Sequence, residues 1–397
     1  MSMIKYEIPK HWISYDHRVI AGQLAEAKAS VISLRNLPHQ RRWVDSLQQI
    51  ELKREVAGTS RIEGAELTER ELDAAMKESP EQLFTRSQKQ AAAAVRTYRW
   101  IATIPPDLPL SAELICEIHR RIITNADDDH AAPGRVRREG DNVNFGAPRH
   151  RGADGGEESE KAFTLLTEAI QRQYPEHDPI IQALAVHYHL AAMHPFQDGN
   201  GRTARAVEAL LMQRAGLRDS SFIAMSNYYY DEKSGYLAAL AEVRQKQFDL
   251  TPFLSFALKG IISQSQRLLT EISSNISKAL YRNLAMEFFG RLKSARKMVL
   301  AKRQLEVIDH LLEVESMEID KLMKTMGGTY GKLKNPIHAL VRDLVGLKYL
   351  GAIKIDKKDD GKLFASVRLQ WPTEVTETEF FRKIKELPKA KTLSFFN

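Results

Sequence analysis

The sequence predicts a mainly α-helical protein that closes on a helix-and-hairpin module. Three observations predict it. Apolar residues recur at three- and four-residue spacing in stretches spread along the chain, as on helices with one packed face. Two runs near the C-terminus alternate apolar and polar residues, as strands do. Between the helical stretches the clearest loop is a run rich in Asp, Gly and Arg, from Asn125 to Glu158.

The elements follow in order. Glu51, Leu52, Glu55, Val56 and Ile62 suggest a helix running up to Gly64, a suitable C-terminal stop. Ile181, Leu184, Ala185, Tyr188 and Ala192 mark an amphipathic helix, which Pro195 should end at about His194. Ala206, Leu210, Leu211 and Arg214 resume a helix that Gly216 closes. Gly199-Asn200-Gly201 is then a turn whose free amides open that helix. Ile261 to Phe289 reads as a helical connector. Three short helical patterns come next: Leu305, Ile308 and Leu311-Leu312; Ile319, Leu322 and Met323; Ile337, Leu340, Val341 and Leu344. Last come the alternating runs Ala352–Ile355 and Leu363–Leu369, joined by an Asp360-Gly361 turn.

One stretch carries chemistry: His194-Pro195-Phe196-Gln197-Asp198-Gly199-Asn200-Gly201-Arg202-Thr203-Ala204-Arg205. It holds a titratable base, a carboxylate, glycines around an asparagine, and two arginines. Phosphoryl-group chemistry needs that set: a proton acceptor, a metal ligand, bare amides and fixed positive charge. A helix start attracts phosphate through its unpaired N–H groups and its dipole. Arg202 and Arg205 lie three apart on the first turn and can grip different phosphates. A lone HxxxD spacing would suit a plain helical hairpin with a buried histidine; these residues in this order are poorly explained by chance.

The stretch resembles the signature of the Fic family, HPFx(D/E)GNGRxxR, at every defined position. The resemblance implies a Fic-type helical domain that transfers AMP from ATP to hydroxyl side chains of target proteins. It implies that His194 is the base, Asp198 the ligand of Mg2+, and Gly199, Asn200 and Gly201 the anion hole. Arg202 and Arg205 would bind the β- and γ-phosphates, and a buried Phe196 would brace the loop. Upstream, Gly134, Arg137, Val143, Asn144, Phe145 and Gly146 resemble the family's strand-pair flap, which holds a target segment by main-chain pairing. Arg135, Arg137, Arg138, Arg149 and Arg151 make this loop strongly basic. His119 and His187 match structural helix positions. Tyr236 and Leu240 resemble the helix that closes over the adenine. Two positions depart from the family pattern: Gly235-Tyr236 stands for Tyr-Tyr, and Leu190-Ala191 for Phe-Glu.

Thr59-Ser60-Arg61-Ile62-Glu63-Gly64 fits the family's inhibitory pattern (S/T)xxxE(G/N). The resemblance implies that Glu63 pairs with Arg205, so that ATP binds in an unproductive pose. An Arg–carboxylate pair gains strength when shielded from water. A homodimer is common in the family.

Length and composition agree. The 397 residues suit two or three domains. The division expected is 1–100, an N-terminal helical region with the inhibitory motif; 101–260, the catalytic domain; 261–300, the connector; 301–371, a winged-helix-like domain; and 372–397, a tail. The single cysteine, Cys116, excludes an internal disulfide. The start lacks the apolar core of a signal peptide, and no stretch reaches membrane-span length, so a soluble cytoplasmic protein is expected. A net charge of +7 permits nucleic-acid binding without demanding it. The winged-helix-like module carries Lys332, Lys334, Arg342, Lys348, Lys354, Lys357, Lys358 and Lys362, interrupted by Asp343, Asp356, Asp359 and Asp360. DNA contact through phosphates is open there, with protein docking or packing expected instead. Two function classes remain: a protein adenylyltransferase, which the inhibitory glutamate could also equip for AMP removal, and a DNA-binding regulator with a nucleotide-sensing domain.

Overall fold

A computed structural model describes residues 4–36, 41–77, 83–127, 129, 131–146, 149–217, 223–292 and 295–388. The chain forms two compact units, Met1–Leu269 and Thr270–Asn397. The fold is mainly α. The regions 1–100 and 101–260 share the first unit.

The first unit begins with β1 (Ile4–Lys5), α1 (His17–Asn36), α2 (Arg41–Ile62), α3 (Glu69–Lys77), α4 (Arg86–Ile101) and α5 (Ala112–Ile123). A small hairpin follows, β2 (Asn144–Phe145) and β3 (His150–Arg151). Then come α6 (Glu157–Arg172), α7 (Pro179–Met193), α8 (Asn200–Met212), α9 (Met225–Asp231) and α10 (Lys233–Gln245). The long α11 (Thr251–Gly290) starts in this unit.

At the centre is α7. The Asp178 side chain accepts the Ile180 amide at 3.0 Å, and Pro179 supplies the fixed φ of a first helical turn. The sequence reads α7 as amphipathic, yet Ile180, Ile181 and every residue from Ala183 to Met193 are buried. A helix apolar all round belongs in a core. Its partner α8 is buried on most sides as well, and carries Arg202, Arg205 and Glu208 inward. Gly64, at φ +89°, ends α2 where the sequence places a stop. Gly216, at φ +108°, turns the chain after α8.

The hairpin is smaller than a flap read from four residues: Val143 and Gly146 flank β2 rather than lie in it. Residue Ile4 pairs with His150 and Lys5 with Arg151 in parallel, so the sheet order is β1-β3-β2. This third strand has no sequence signal, being two residues long. It leaves β2 as an outer edge.

The second unit takes the rest of α11, then α12 (Ala295–Val314), β4 (Ser316–Glu318), α13 (Ile319–Thr325), α14 (Gly327–Tyr330) and α15 (Pro336–Tyr349). It ends with β5 (Ile353–Lys357), β6 (Leu363–Val367), α16 (Trp371–Glu374) and α17 (Glu377–Lys385). β4 pairs antiparallel with β6, giving the order β4-β6-β5. Of the segment 372–397, expected as a tail, residues 372–388 fold back into the core, and 389–397 lie outside the described residues. Thr376 caps α17 through the Glu379 amide, and Phe380 and Ile384, four apart, are buried against the cluster of Phe288, Phe289 and Trp371. Asp343, expected to dilute the surface lysines, is fully buried; it accepts from Arg303 at 2.8 Å and from Tyr330 at 2.9 Å. Among the described residues, no helix is long and apolar enough to cross a membrane.

Candidate active site

His194 follows α7 in the left-handed region, at φ 50° and ψ 63°. A residue with a β-carbon needs outside support there. Arg137 supplies it. Expected as part of a basic loop, Arg137 is almost fully buried, because its guanidinium fills a nest of carbonyls. It donates to His194 O at 2.7 Å, Asp141 O at 2.5 Å and Ala153 O at 2.5 Å. Its own amide donates to Pro195 O at 2.9 Å. Loop and hairpin are thereby tied to the histidine's backbone.

The His194 ring is oriented in turn. Nδ1 lies 2.5 Å from Ala191 O, which can only accept, so Nδ1 carries the proton and Nε2 is left as the acceptor. Burial, with Arg244 and Arg137 nearby, pushes the imidazolium down to about 3. The ring is therefore a neutral base at any ordinary pH. Phe145 stacks on it at 3.6 Å between centroids and 3° between planes.

The turn that follows is closed by its own side chains. The Asn200 amide accepts from Phe196 N at 2.9 Å and donates to Phe196 O at 2.7 Å, so this side chain is spent on the turn. Its backbone amide and those of Gly201 and Arg202 open α8 without helical acceptors. Gly199 adopts φ +73°, and a β-carbon there would sit 2.6 Å from Ile123. Phe196 is fully buried and stacks on His119 at 3.8 Å. His119 accepts the Gly134 amide on Nδ1 at 2.9 Å and so donates from Nε2 to Asp198 O at 3.0 Å. Burial pushes it down to about 4, so it is a neutral structural brace.

Both signature arginines are already partnered. The Arg205 Nε donates to Thr59 Oγ1 at 2.8 Å, and Nη2 meets Glu63 Oε1 at 2.5 Å. Burial would raise the Glu63 carboxyl, but Arg205 outweighs it and holds the group below its usual range. Gly201 makes this approach possible, since a β-carbon there would lie 2.5 Å from Glu63 Oε1. Arg202, expected at phosphate, is buried against Asp127, with Nη1 to Oδ2 at 2.6 Å.

The Asp198 carboxylate is 40% exposed. Among the described residues no group of three or more His, Cys, Asp or Glu could hold a metal. A magnesium ion that keeps waters and phosphate oxygens needs only one or two carboxylates, so a lone half-exposed Asp198 fits.

A cavity of about 270 Å³ is lined by Glu63, Phe145, His150, His194, Gly201, Arg205, Tyr236, Leu240 and Arg244, among others. The Tyr236 ring walls it, and its hydroxyl lies 2.9 Å from His187 Nε2. His187 in turn meets the buried Glu208 carboxylate, which accepts from Tyr229 at 3.0 Å. At Gly235, where the family pattern has a second tyrosine, a β-carbon would touch Phe256 at 3.0 Å. Asp127, Arg244 and Glu208 escaped the sequence reading, because isolated charged residues in a loop or on a helix carry no spacing signal.

A left-handed histidine, the first turn of α8 and the buried Arg205 thus meet at one cavity of a helical domain. Residues 109–212 match the model of the Fic/DOC family, and the chain carries a Fic domain there. Over 175 residues it is 29% identical to the protein adenylyltransferase fic-1 of Caenorhabditis elegans, a match covering 43% of this chain and 31% of that one. It is 37% identical over 103 residues to the protein adenylyltransferase Fic of Nematostella vectensis, covering 26% and 22%. The chain thus spans a third or less of these curated relatives. Among solved structures, a Fic family protein from Desulfovibrio desulfuricans aligns at a TM-score of 0.55, with 16% identity, over 91% of this chain and 98% of that one. Residues 134–508 of Fic-1 from C. elegans align at 0.54, with 21% identity, over 65% and 74%. At those identities the likeness is one of fold.

Proposed function

We propose that the chain transfers AMP from ATP to hydroxyl side chains of proteins, itself included, and that Glu63 restrains it by holding Arg205. One observation carries the reading: the free Nε2 of His194, the amide-bearing start of α8, and the Glu63–Arg205 pair all face one cavity of about 270 Å³. A target segment adds along the open edge of β2 and brings its hydroxyl to His194. His194 Nε2 takes the hydroxyl proton as the oxygen attacks the α-phosphorus. The bond from that phosphorus to the bridging oxygen breaks, and pyrophosphate leaves. Free amides at the start of α8 stabilise the charge that gathers on the non-bridging oxygens. Magnesium, when bound, neutralises charge across the phosphates, and Asp198 would hold it. While Glu63 occupies Arg205, that arginine cannot fix the terminal phosphate, and the α-phosphorus is misaligned for attack. The nucleoside end is walled by Phe145, Tyr236 and Leu240. The module from α12 to β6 follows the element order of a winged helix and serves protein docking or packing.

Incubation with ATP labelled at the α- or the γ-position tests the reaction. Label retained from the α-position alone supports AMP transfer. Label retained from the γ-position overturns it in favour of phosphate transfer.

A further inference from the structure

Two charged residues beside the start of α8, Asp127 and Arg86, have no task in the reaction above. Asp127 follows α5 in a turn, its amide on Ile123 O at 2.9 Å, and its side chain is fully buried. Burying a carboxylate is costly unless it is paired and hydrogen-bonded throughout. Asp127 meets that condition. Its oxygens accept from Arg202 Nη1 at 2.6 Å, Arg86 Nε at 2.5 Å, and Gln90 Nε2 at 2.9 and 3.0 Å.

The two arginines differ in freedom. Arg202 is buried, with its Nη1 fixed on Asp127 and its Nη2 turned to Asp198 Oδ1 at 3.5 Å. The side chain of Arg86 is 52% exposed, and its Nη2 reaches Asp198 Oδ2 at 3.3 Å. Asp198 is itself fixed by its backbone, through His119 on its carbonyl. Among the described residues, the Asp198 carboxylate suited to the metal is thus already faced by two guanidinium groups. A divalent cation on Asp198 competes with both, and of the two only Arg86 has solvent to move into.

We infer that Asp127 positions Arg202 for the phosphates, and that Arg86 holds the place of the divalent cation on Asp198 until metal and nucleotide arrive. This rests on the AMP-transfer reading of the same site. Asp127 is a positioning residue: it touches no substrate, and it sets the plane of a guanidinium that does. Arg86 is a counter-ion exchanged on binding, and it makes the free site electrically complete without metal.

The test uses the full chain with Glu63→Gly and His194→Ala, so that nucleotide binds in its productive pose and is not consumed. Mn2+ binding in the presence of ATP is read by electron paramagnetic resonance, and ATP binding by calorimetry. Exposed ion pairs are weak, so Arg86→Ala is expected to lower the Mn2+ concentration at half-saturation by roughly threefold. Unchanged or weaker Mn2+ binding overturns the place-holding role. Asp127→Asn is expected to weaken ATP binding by about tenfold, and to weaken it no further once Arg202 is Ala. Additive losses overturn the positioning role, because a merely structural residue would act independently of Arg202. Should Asp127→Asn fail to fold, Asp127→Glu carries the same cycle with the charge kept. No ATP binding by the parent variant would instead sink the AMP-transfer reading, and this inference with it.

Discussion

His194 shows how much a single residue's chemistry depends on the groups that surround it. Its left-handed backbone is held by Arg137, its tautomer by Ala191 O, and its neutrality by burial. Replacing it with Ala should abolish self-labelling from α-labelled ATP while calorimetry still detects nucleotide. A variant that still labels itself would remove His194 from the mechanism. Because its imidazolium is pushed down to about 3, the pH–rate profile should show no break from His194 between about pH 5 and 8. Glu63 is the complementary case. Its carboxylate is the group that meets the Arg205 Nη2, so Glu63→Gly should raise self-labelling tenfold or more, about 1.4 kcal/mol of population. Equal rates in the two proteins would end the restraint model. The signature residues were legible because they sit together in one stretch. Asp127 and Arg86 were not, since their meaning arises only where α4, α5 and α8 converge.

At the scale of elements, the restraint proposed for Glu63 would depend on how α2 is held. Glu55 in α2 accepts the Ser226 amide at 2.8 Å and Tyr98 OH at 2.8 Å, and also meets Ser226 Oγ. Gly58 lies so close to α9 that a β-carbon would sit 2.4 Å from the backbone of Ser226 and Asn227. Gly58→Ala must therefore push α2 away from α9 and move Glu63 with it. Faster self-labelling at a lower melting temperature is expected, and a rate no different from the parent would show that α2 is not the lever. Burial pushes the Glu55 carboxyl up to about 7, with its hydrogen bonds opposing. The unfolded chain releases that proton near 4.5. Between these values the folded protein holds a proton that the unfolded chain has lost, so stability falls as pH rises through the window. The loss is about 3 kcal/mol when complete. Glu55→Gln should therefore flatten the fall in melting temperature between pH 5 and pH 8, and an identical slope in both proteins would exclude Glu55 as its source.

For the whole molecule, the second unit bears on partners. On α15, Ala339, Leu340, Val341 and every residue from Asp343 to Leu347 are buried, which leaves little of that helix to enter a groove. Several hairpin lysines already have partners: Lys354 meets Asp356 at 3.2 Å, Lys362 meets Glu318 at 3.7 Å, and Lys358 lies over the Phe364 ring. Duplex DNA at low salt should show no binding by anisotropy. Binding whose logarithm falls linearly with that of salt would restore the DNA reading.

Sequence by itself determined the helical class, the end of α7 just before His194-Pro195, the stop at Gly64 and the stretch holding the residue types that phosphate chemistry needs. Local rules govern each of these: apolar spacing, a proline's missing amide, a glycine's positive φ. Only the tertiary structure decided that α7 is buried all round, that Ile4–Lys5 joins the hairpin, and that Arg137 clasps the catalytic turn. It alone also set Arg202 against Asp127. Those outcomes rest on contacts between residues tens to hundreds of positions apart. No periodicity encodes which buried charge will find which partner.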